Sequence, residues 1–149
     1  MKITMCGSMH HSKEMINTKQ KLEKIGFIVE IPKNTEYYAD KTLPPESRQE
    51  SAANKIHGDL LKKYFEIIKD SDAIFVVNFE KHNIPNYIGR NTFLEMAFAH
   101  ILDKPIYLEN PIPEMLYKDE IIAMQPTILN GNLTKLKLIV PQSSIKWQT

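Results

Sequence analysis

The sequence has a single cysteine and almost no net charge. Cysteine occurs once, at Cys6, so an internal disulfide and a zinc site of several cysteines are both excluded. Nineteen basic side chains stand against eighteen acidic ones, a balance that argues against a nucleic-acid polymer or an anionic membrane as partner. No apolar run is as long as a membrane span, and the first residues do not read as a secretion leader. We therefore expect a cytoplasmic protein with a small-molecule ligand or a protein partner.

Strand-like and helix-like patterns alternate along the 149 residues, of which 42% are hydrophobic, enough for one domain over 1–149. Residues 33–50 are polar and are predicted to form a surface loop or lid. Residues 134–140 are predicted to be a tail with strand-like alternation. Strands are predicted at 2–6, 27–31, 73–79, 105–109 and 127–129, and helices from a cap at Ser12 to a stop at Gly26, and over 52–69, 91–103 and 113–124.

The segment AIFVVNF at 73–79 is the strongest strand signal, because it is apolar without alternation, as a strand covered on both faces must be. Strands that alternate with helices predict an α/β sandwich with a parallel sheet. Ligands of such sheets bind beyond the carboxyl ends of the strands. The site is therefore expected among three loops: 7–11, 78–91 and 109–111.

Glu95 is an ionisable residue near the start of an otherwise apolar helix, and two interpretations stay open. Thr92 and Glu95 have the spacing of a capping box, which would give the carboxylate a purely structural role. Alternatively, the amino end of this helix faces the predicted site, and a sheltered carboxylate there could act as a nucleophile.

Several other residues of the three loops are possible ligand contacts. Gly7 and Ser8 could let a polar ligand approach the backbone, or could form a plain tight turn. His10 and His11 are adjacent and lack a partner at metal-ligand spacing, so no metal site is predicted. The amides that follow strands could bind a sugar hydroxyl or a base edge, or could form turns; they are Asn78, Asn91 and Asn110.

Four segments in this order resemble the nucleoside 2-deoxyribosyltransferase superfamily, which includes deoxynucleoside 5′-monophosphate N-glycosidases. They are MCGSM, SDAIFVVNF, YIGRNTFLEMAFAHILDKPIYL and NPIPE. The similarity covers most of residues 2–131, and the 33–50 segment is unmatched. Its most specific part is the block from Gly89 to Pro105, where a glycine-containing loop leads into a helix that carries a glutamate.

The resemblance implies a flavodoxin-like, three-layer α/β sandwich with a mainly parallel five-stranded sheet, and a homodimer or higher homo-oligomer with sites at subunit boundaries. It also implies a glutamate nucleophile, matched here by Glu95, and no metal or other cofactor. Family enzymes carry an aspartate eight residues before the Asp that opens the central strand, and Tyr64 stands at that position here. The basic residue that the glycosidases carry in the first loop is not obvious at Met9-His10-His11.

Two alternative functions are therefore consistent with the sequence. In the first, the chain cleaves or transfers the N-glycosidic bond of a nucleoside or nucleoside monophosphate through a covalent intermediate on Glu95. The second keeps the fold as a nucleotide-sensing domain without catalysis, in which Glu95 only caps its helix. The expected substrate contacts are Gly7, Ser8, His10, Asn78, Gly89, Asn91 and Tyr64. The resemblance implies that the family aspartate helps to protonate the leaving base, and here Tyr64, Tyr38 or His10 could replace it.

Overall fold

The computed structural model describes residues 1–33, 35–40, 56 and 59–139. Strands and helices alternate along them. The strands are β1 (Lys2–Gly7), β2 (Ile28–Glu30), β3 (Ala73–Val77), β4 (Ile106–Leu108) and β5 (Thr127–Ile128). The helices are a 3₁₀ turn (Met9–His11), α1 (Ser12–Ile25), α2 (Thr35–Ala39), α3 (Leu60–Lys69), α4 (Arg90–Ile101), α5 (Lys118–Ala123) and α6 (Lys135–Ile139).

The five strands form one sheet in the order β2-β1-β3-β4-β5, and every recorded pair is parallel. This is the flavodoxin-like order, so the predicted α/β fold with a five-stranded parallel sheet is confirmed. All five residues of β3 are buried, as its unbroken apolar run predicted. The strand order reverses between β1 and β3, which run side by side from Ile3 opposite Ala73 to Gly7 opposite Val77. The carboxyl ends of these two strands are therefore where a ligand of this fold binds.

Two apolar cores lie on the two faces of the sheet. On one face, α1 and the segment around α6 cover the sheet with Met15, Leu22 and Leu136. On the other face, α3, α4 and α5 cover it, and Cys6 belongs to this second core. Residues adjacent along β1 point to opposite faces, so Met5 faces the first core and Cys6 the second.

The first helix is bounded almost as predicted, and the exception is its start. Gly26 ends α1 with φ of 112°, a backbone conformation that glycine adopts at little cost. Ser12 was predicted as the cap, but it is the first residue of α1, and His11 precedes it. Ser8 caps the 3₁₀ turn instead, because its hydroxyl accepts a hydrogen bond from the backbone of His10 at 3.2 Å.

Three predicted segments differ from the structure. The polar 33–50 segment includes a short helix, α2, whose buried Thr35 donates its hydroxyl to the Pro32 carbonyl. Residues 41–50 lie outside the described part of the chain, and so do residues 52–55, 57 and 58 of the predicted 52–69 helix. The helix predicted from 113 begins only at Lys118. The strand-like tail at 134–140 is wrong, because 135–139 is helical: Leu133 and Leu136 are both buried and are spaced like neighbours on one side of a helix.

Within the described residues, none of the helices combines the length and the apolar character needed to cross a bilayer.

Candidate active site

The helix that carries Glu95 begins at Arg90, and Gly89 precedes it in extended conformation. Thr92 is therefore the third residue of α4 and is not its cap. Of the two interpretations of Glu95, the capping box with Thr92 is therefore wrong, because that motif requires the threonine just outside the helix. Glu95 lies more than one turn into the helix, so its carboxylate has no structural duty at the helix start.

The Glu95 carboxylate instead lies against the carboxyl end of β1. The thiol of Cys6, which is fully buried, donates a hydrogen bond to it. Burial raises the pKa of Glu95 from its usual 4.5 to about 7, and the thiol hydrogen bond lowers it in part. Burial and the neighbouring negative charge raise the pKa of Cys6, so the thiol keeps its proton and remains a donor. Near neutral pH, Glu95 is thus poised between its two protonation states.

Tyr64 of α3 is the third member of this cluster. Its hydroxyl donates to the Met5 carbonyl at 2.8 Å. Burial raises its pKa well above 10, and the negative charge of Glu95 raises it further. The structure therefore brings Tyr64 next to Glu95. However, the phenolic hydrogen is already engaged by a backbone carbonyl, so Tyr64 is not poised to protonate a leaving base.

The first loop is tied to the loop after β3 by a residue that the sequence reading missed. The Ser8 hydroxyl accepts a hydrogen bond from the Lys81 amine at 2.9 Å. Lys81 and Ile84 form a small antiparallel bridge around His82 and Asn83, which both have positive φ (52° and 58°). Positive φ at both central residues is what a tight type I′ hairpin requires, and asparagine tolerates it. The signal in the sequence was the pair His82-Asn83, which predicts such a turn only weakly.

Gly7 allows the two central strands, β1 and β3, to lie close together. A Cβ atom at this position would lie 3.0 Å from the Val77 carbonyl oxygen and 3.5 Å from the Met15 sulfur. Any side chain would therefore push β1 and β3 apart. Gly7 is therefore the last residue of a paired strand and not part of the plain tight turn that was the alternative to ligand binding.

The two histidines of the first loop have different surroundings. His10 is exposed, whereas His11 is buried and its Nε2 lies 3.0 Å from the Glu80 carbonyl oxygen. The two rings meet edge to face, with centroids 5.3 Å apart. Across the described residues, no three side chains of His, Cys, Asp or Glu gather closely enough to hold a metal ion. Because its ring contacts the Glu80 backbone, His11 helps Ser8 to hold the loop that follows β3.

Asn78 ties the second and third loops together. It is fully buried, and its amide nitrogen donates to the carbonyls of Asn86, Asn110 and Pro111 at 3.1–3.3 Å. Its carbonyl oxygen accepts from the Asn110 backbone at 3.0 Å, and the Asn110 side chain returns a bond to the Asn78 backbone at 2.9 Å. The amide donors of Asn78 are thus used inside the protein, in the loop-forming role that was the alternative to ligand binding.

The remaining predicted contacts stand around the start of α4 and the first loop. Gly89 is partly exposed and its carbonyl accepts the Phe93 amide at 2.9 Å, while Asn91 is exposed in the first turn. Tyr38 is partly buried in α2, a helix that packs against α1 and the 3₁₀ turn. The roles of these residues as substrate contacts stay predictions.

A second carboxylate, Glu109, is buried and follows β4 on the other face of the sheet. Thr18 of α1 donates a long hydrogen bond, 3.4 Å, to one of its oxygens, and the other oxygen is buried with no hydrogen-bond partner among the described residues. Burial raises the pKa of Glu109 to about 7, against the lowering effects of Thr18 and Lys21. Glu109 belongs to the predicted site loop 109–111, but no pattern in the sequence predicts that its carboxylate is buried.

Comparisons with known proteins place the fold. No family model matches the chain, and no curated protein matches its sequence. The structure is similar to that of the CMP N-glycosidase BcmB of Clostridium botulinum, with a TM-score of 0.51 and 15% sequence identity, over 93% of this chain and 99% of that one. The resemblance read from the sequence motifs is therefore confirmed at the level of the fold, which this chain shares with an N-glycosidase.

Proposed function

We propose that this protein cleaves the N-glycosidic bond of a nucleoside or nucleoside monophosphate, with Glu95 as the nucleophile. The observation that carries the proposal is the position of the Glu95 carboxylate. It lies in the body of α4, free of any capping role, at the carboxyl end of β1 beside the point where the strand order reverses. The shared fold with an enzyme that acts on the N-glycosidic bond of CMP supports the same class of chemistry.

The reaction follows the two-step course of a retaining glycosidase. A Glu95 oxygen forms a bond to the anomeric carbon of the sugar while the carbon–nitrogen bond breaks, and the base leaves with the electron pair and takes up a proton. Water then attacks the same carbon, and the bond from that carbon to the Glu95 oxygen breaks with its electron pair returning to the carboxylate. The proton that the water loses goes to solvent and balances the proton that the base took up from solvent in the first step. A second base in place of water would make the enzyme a transferase.

The surroundings of Glu95 suit the first step. A nucleophilic carboxylate must be ionised, and burial without a nearby cation leaves it poorly solvated and therefore reactive. No lysine, arginine or histidine of the described residues pairs with Glu95. The Cys6 thiol is the one hydrogen-bond donor that lowers its pKa. A single weak donor favours ionisation without masking the carboxylate as a salt bridge would.

The test is to trap the intermediate. A 2′-fluorinated nucleoside or nucleotide analogue with a good leaving group should add the mass of its fluorosugar to the intact protein, and peptide mapping should place the adduct on Glu95. The Glu95→Gln variant should form no adduct, whereas Glu109→Gln, which removes the other carboxylate with a raised pKa, should still form it. Failure of the unaltered protein to form an adduct across a broad panel of bases would contradict the proposal.

A second function is favoured by one specific observation, the engagement of the Tyr64 hydroxyl by the Met5 carbonyl. Without a free acid at this position, the fold could bind a nucleotide without turning it over. In that case Glu95→Gln should bind nucleotides as well as the unaltered protein does, and neither should release free base. Release of base by the unaltered protein alone identifies the enzyme.

A further inference from the structure

The cluster around Glu95 lacks a group that can protonate the leaving base. The base carries away the electron pair of the broken carbon–nitrogen bond, so a proton donor placed beside it speeds this step. Tyr64 has one hydroxyl hydrogen, and the Met5 carbonyl accepts it at 2.8 Å. The donor must therefore come from another element at the same end of the sheet.

Lys81, in the loop after β3, has donor hydrogens that the protein does not use. An ammonium group carries three hydrogens, and the Ser8 hydroxyl, at 2.9 Å, is the one acceptor that the described residues give it. None of the four ion pairs recorded among those residues includes Lys81. The amine can therefore donate to Ser8 and to a ligand at the same time.

The Lys81 amine is also held in position before any ligand arrives. The hairpin with positive φ at His82 and Asn83 fixes the backbone of Lys81. The Tyr87 ring lies beneath the amine, with 5.7 Å from the nitrogen to the ring centroid. A lysine side chain held in this way has already lost much of its rotational freedom, which is what a proton donor with a fixed target requires.

The environment of Lys81 makes its proton easier to transfer than that of an exposed lysine. Burial lowers the pKa of Lys81, because the amine has lost part of its hydration. A lysine whose pKa is lowered by burial is a recognised general acid or base in enzymes.

Lys81 and Glu95 contact the same end of β1. The Cys6 thiol bonds to Glu95, and the Ser8 hydroxyl, two residues later in an extended backbone, bonds to Lys81. Residues two apart in an extended chain are about 7 Å from each other. Retaining glycosidases place the nucleophile and the acid roughly 5 Å apart, on either side of the bond that breaks. The spacing along β1 is of the same order, so one glycosidic bond fits between Glu95 and Lys81.

We propose that Lys81 is the proton donor to the leaving base, in the place of the aspartate that the family resemblance implies. While the Glu95 oxygen bonds to the anomeric carbon, an N–H bond of the Lys81 ammonium breaks and its electron pair stays on the lysine nitrogen. The proton goes to the base, which leaves with the electron pair of the carbon–nitrogen bond. The neutral amine then regains a proton from solvent. The proposal rests on the function proposed for Glu95 and adds a second catalytic residue to that site.

A leaving group that needs no proton tests this role. Release of base is measured with a panel of nucleosides and nucleoside monophosphates, and release of para-nitrophenolate with the matching aryl glycosides, which carry this group in place of the base. Because para-nitrophenolate departs as a stable anion, its release does not depend on an acid. Lys81→Met should lower kcat/KM for base release by roughly 10²- to 10⁴-fold and kcat/KM for para-nitrophenolate release by only a few-fold.

Two further variants separate a proton donor from a mere positive charge. Lys81→Arg keeps the charge and a donor to Ser8, but a guanidinium group does not give up its proton, so this variant should lose base release as Lys81→Met does. The matched control is Lys24→Met, which removes a lysine from an exposed position in the last turn of α1 and should leave both rates unchanged.

Three results would overturn the role of Lys81 alone. They are base release that survives Lys81→Met, equal loss of base and of para-nitrophenolate release in that variant, and base release restored by Lys81→Arg. The second of these would show that Lys81 only holds its loop, and the third that its charge is sufficient. Release of neither product by the unaltered protein would instead overturn the function proposed for Glu95, and the role of Lys81 with it.

Discussion

Glu95, which is partly exposed, and Glu109, which is buried, are two carboxylates on opposite faces of one sheet, and loss of hydration raises the pKa of each to about 7. Their surroundings differ. The Glu95 carboxylate receives a hydrogen bond from Cys6 and lies beside Tyr64, where the order of the strands reverses. Glu109 has one long hydrogen bond from Thr18 and an oxygen sealed away with no partner among the described residues.

A raised pKa alone therefore does not identify a catalytic group. Both carboxylates are costly to ionise and both lie at the carboxyl end of a strand, but only Glu95 lies beside β1, where the order of the strands reverses. Glu109 has no role in the proposed reaction, so its burial only makes ionisation unfavourable. Ionisation of Glu109 should therefore destabilise the folded state. The two residues should respond differently to the same substitution, and this contrast can be tested.

The largest expected difference is in turnover. Glu95→Gln should lower kcat/KM for N-glycosidic cleavage by roughly 10³-fold or more, because the nucleophile is lost, as happens when a single member of a catalytic group is removed. Glu109→Gln should stay within a few-fold of the unaltered protein. Release of free base, followed by chromatography, is the measurement. Equal losses in the two variants would mean that the contrast between the two faces is not catalytic.

The next effect is on stability. The folded pKa of Glu109, about 7, exceeds its ordinary value of 4.5, so the folded state binds the proton more tightly. The free energy of unfolding is then highest below pH 4.5 and falls as the pH rises to about 7, by up to about 3 kcal/mol for this residue. Glu109→Gln should remove this part of the fall and be more stable than the unaltered protein at pH 8.

Urea unfolding at pH 4.5 and pH 8 gives the measurement for that prediction. Glu66→Gln, on an exposed position of α3, is the matched control and should leave the pH dependence as it was. Glu95 adds a fall of the same sign, so the curve should flatten only in part. An unchanged curve in Glu109→Gln would show that this carboxylate does not hold its proton in the folded state.

A smaller effect should come from Cys6. Cys6→Ala removes the thiol donor, so the pKa of Glu95 should rise and kcat/KM near pH 6.5 should fall by roughly two- to five-fold, while the rate at pH 9 changes little. Cys6→Ser keeps a donor and should recover most of the loss. The measurement is the pH dependence of kcat/KM, and an acid limb that does not move in Cys6→Ala would refute the role of the thiol.

The smallest effect is expected at Tyr64. Tyr64→Phe loses the hydrogen bond to the Met5 carbonyl and should lower the free energy of unfolding by about 1 kcal/mol, with turnover within about two-fold. Unfolding by urea and base release are measured on the same preparation. A large loss of turnover at preserved stability would instead make Tyr64 the proton donor to the leaving base.

The sheet was readable from the sequence because its signals are local. The apolar run at 73–79 required a strand covered on both faces, and Gly26 ended α1 where the pattern stopped. The short helices at Thr35–Ala39 and Lys135–Ile139 were missed, because five residues show too little periodicity to separate a helix from a loop or a strand.

The site was readable only in part, because its contacts join residues that are far apart in the chain. Glu95 and Tyr64 were chosen from motif positions, and they do lie together beside β1. The hydrogen bond between Cys6 and Glu95, and that between Ser8 and Lys81, depend on how β1 meets α4 and the loop after β3. Asn78 was chosen as a ligand contact for its place after a strand, but that place equally suits a residue that joins two loops.

Gly7 has a consequence for how distant relatives of this chain are recognised. A methyl group there would press on the Val77 carbonyl, so the glycine is demanded by two neighbouring strands before any ligand is considered. A Cys-Gly-Ser triplet at the end of such a strand therefore reports how two strands pack and is not by itself evidence of a reaction. The chemistry of a chain with this backbone is better inferred from its reactive side chains, such as Glu95.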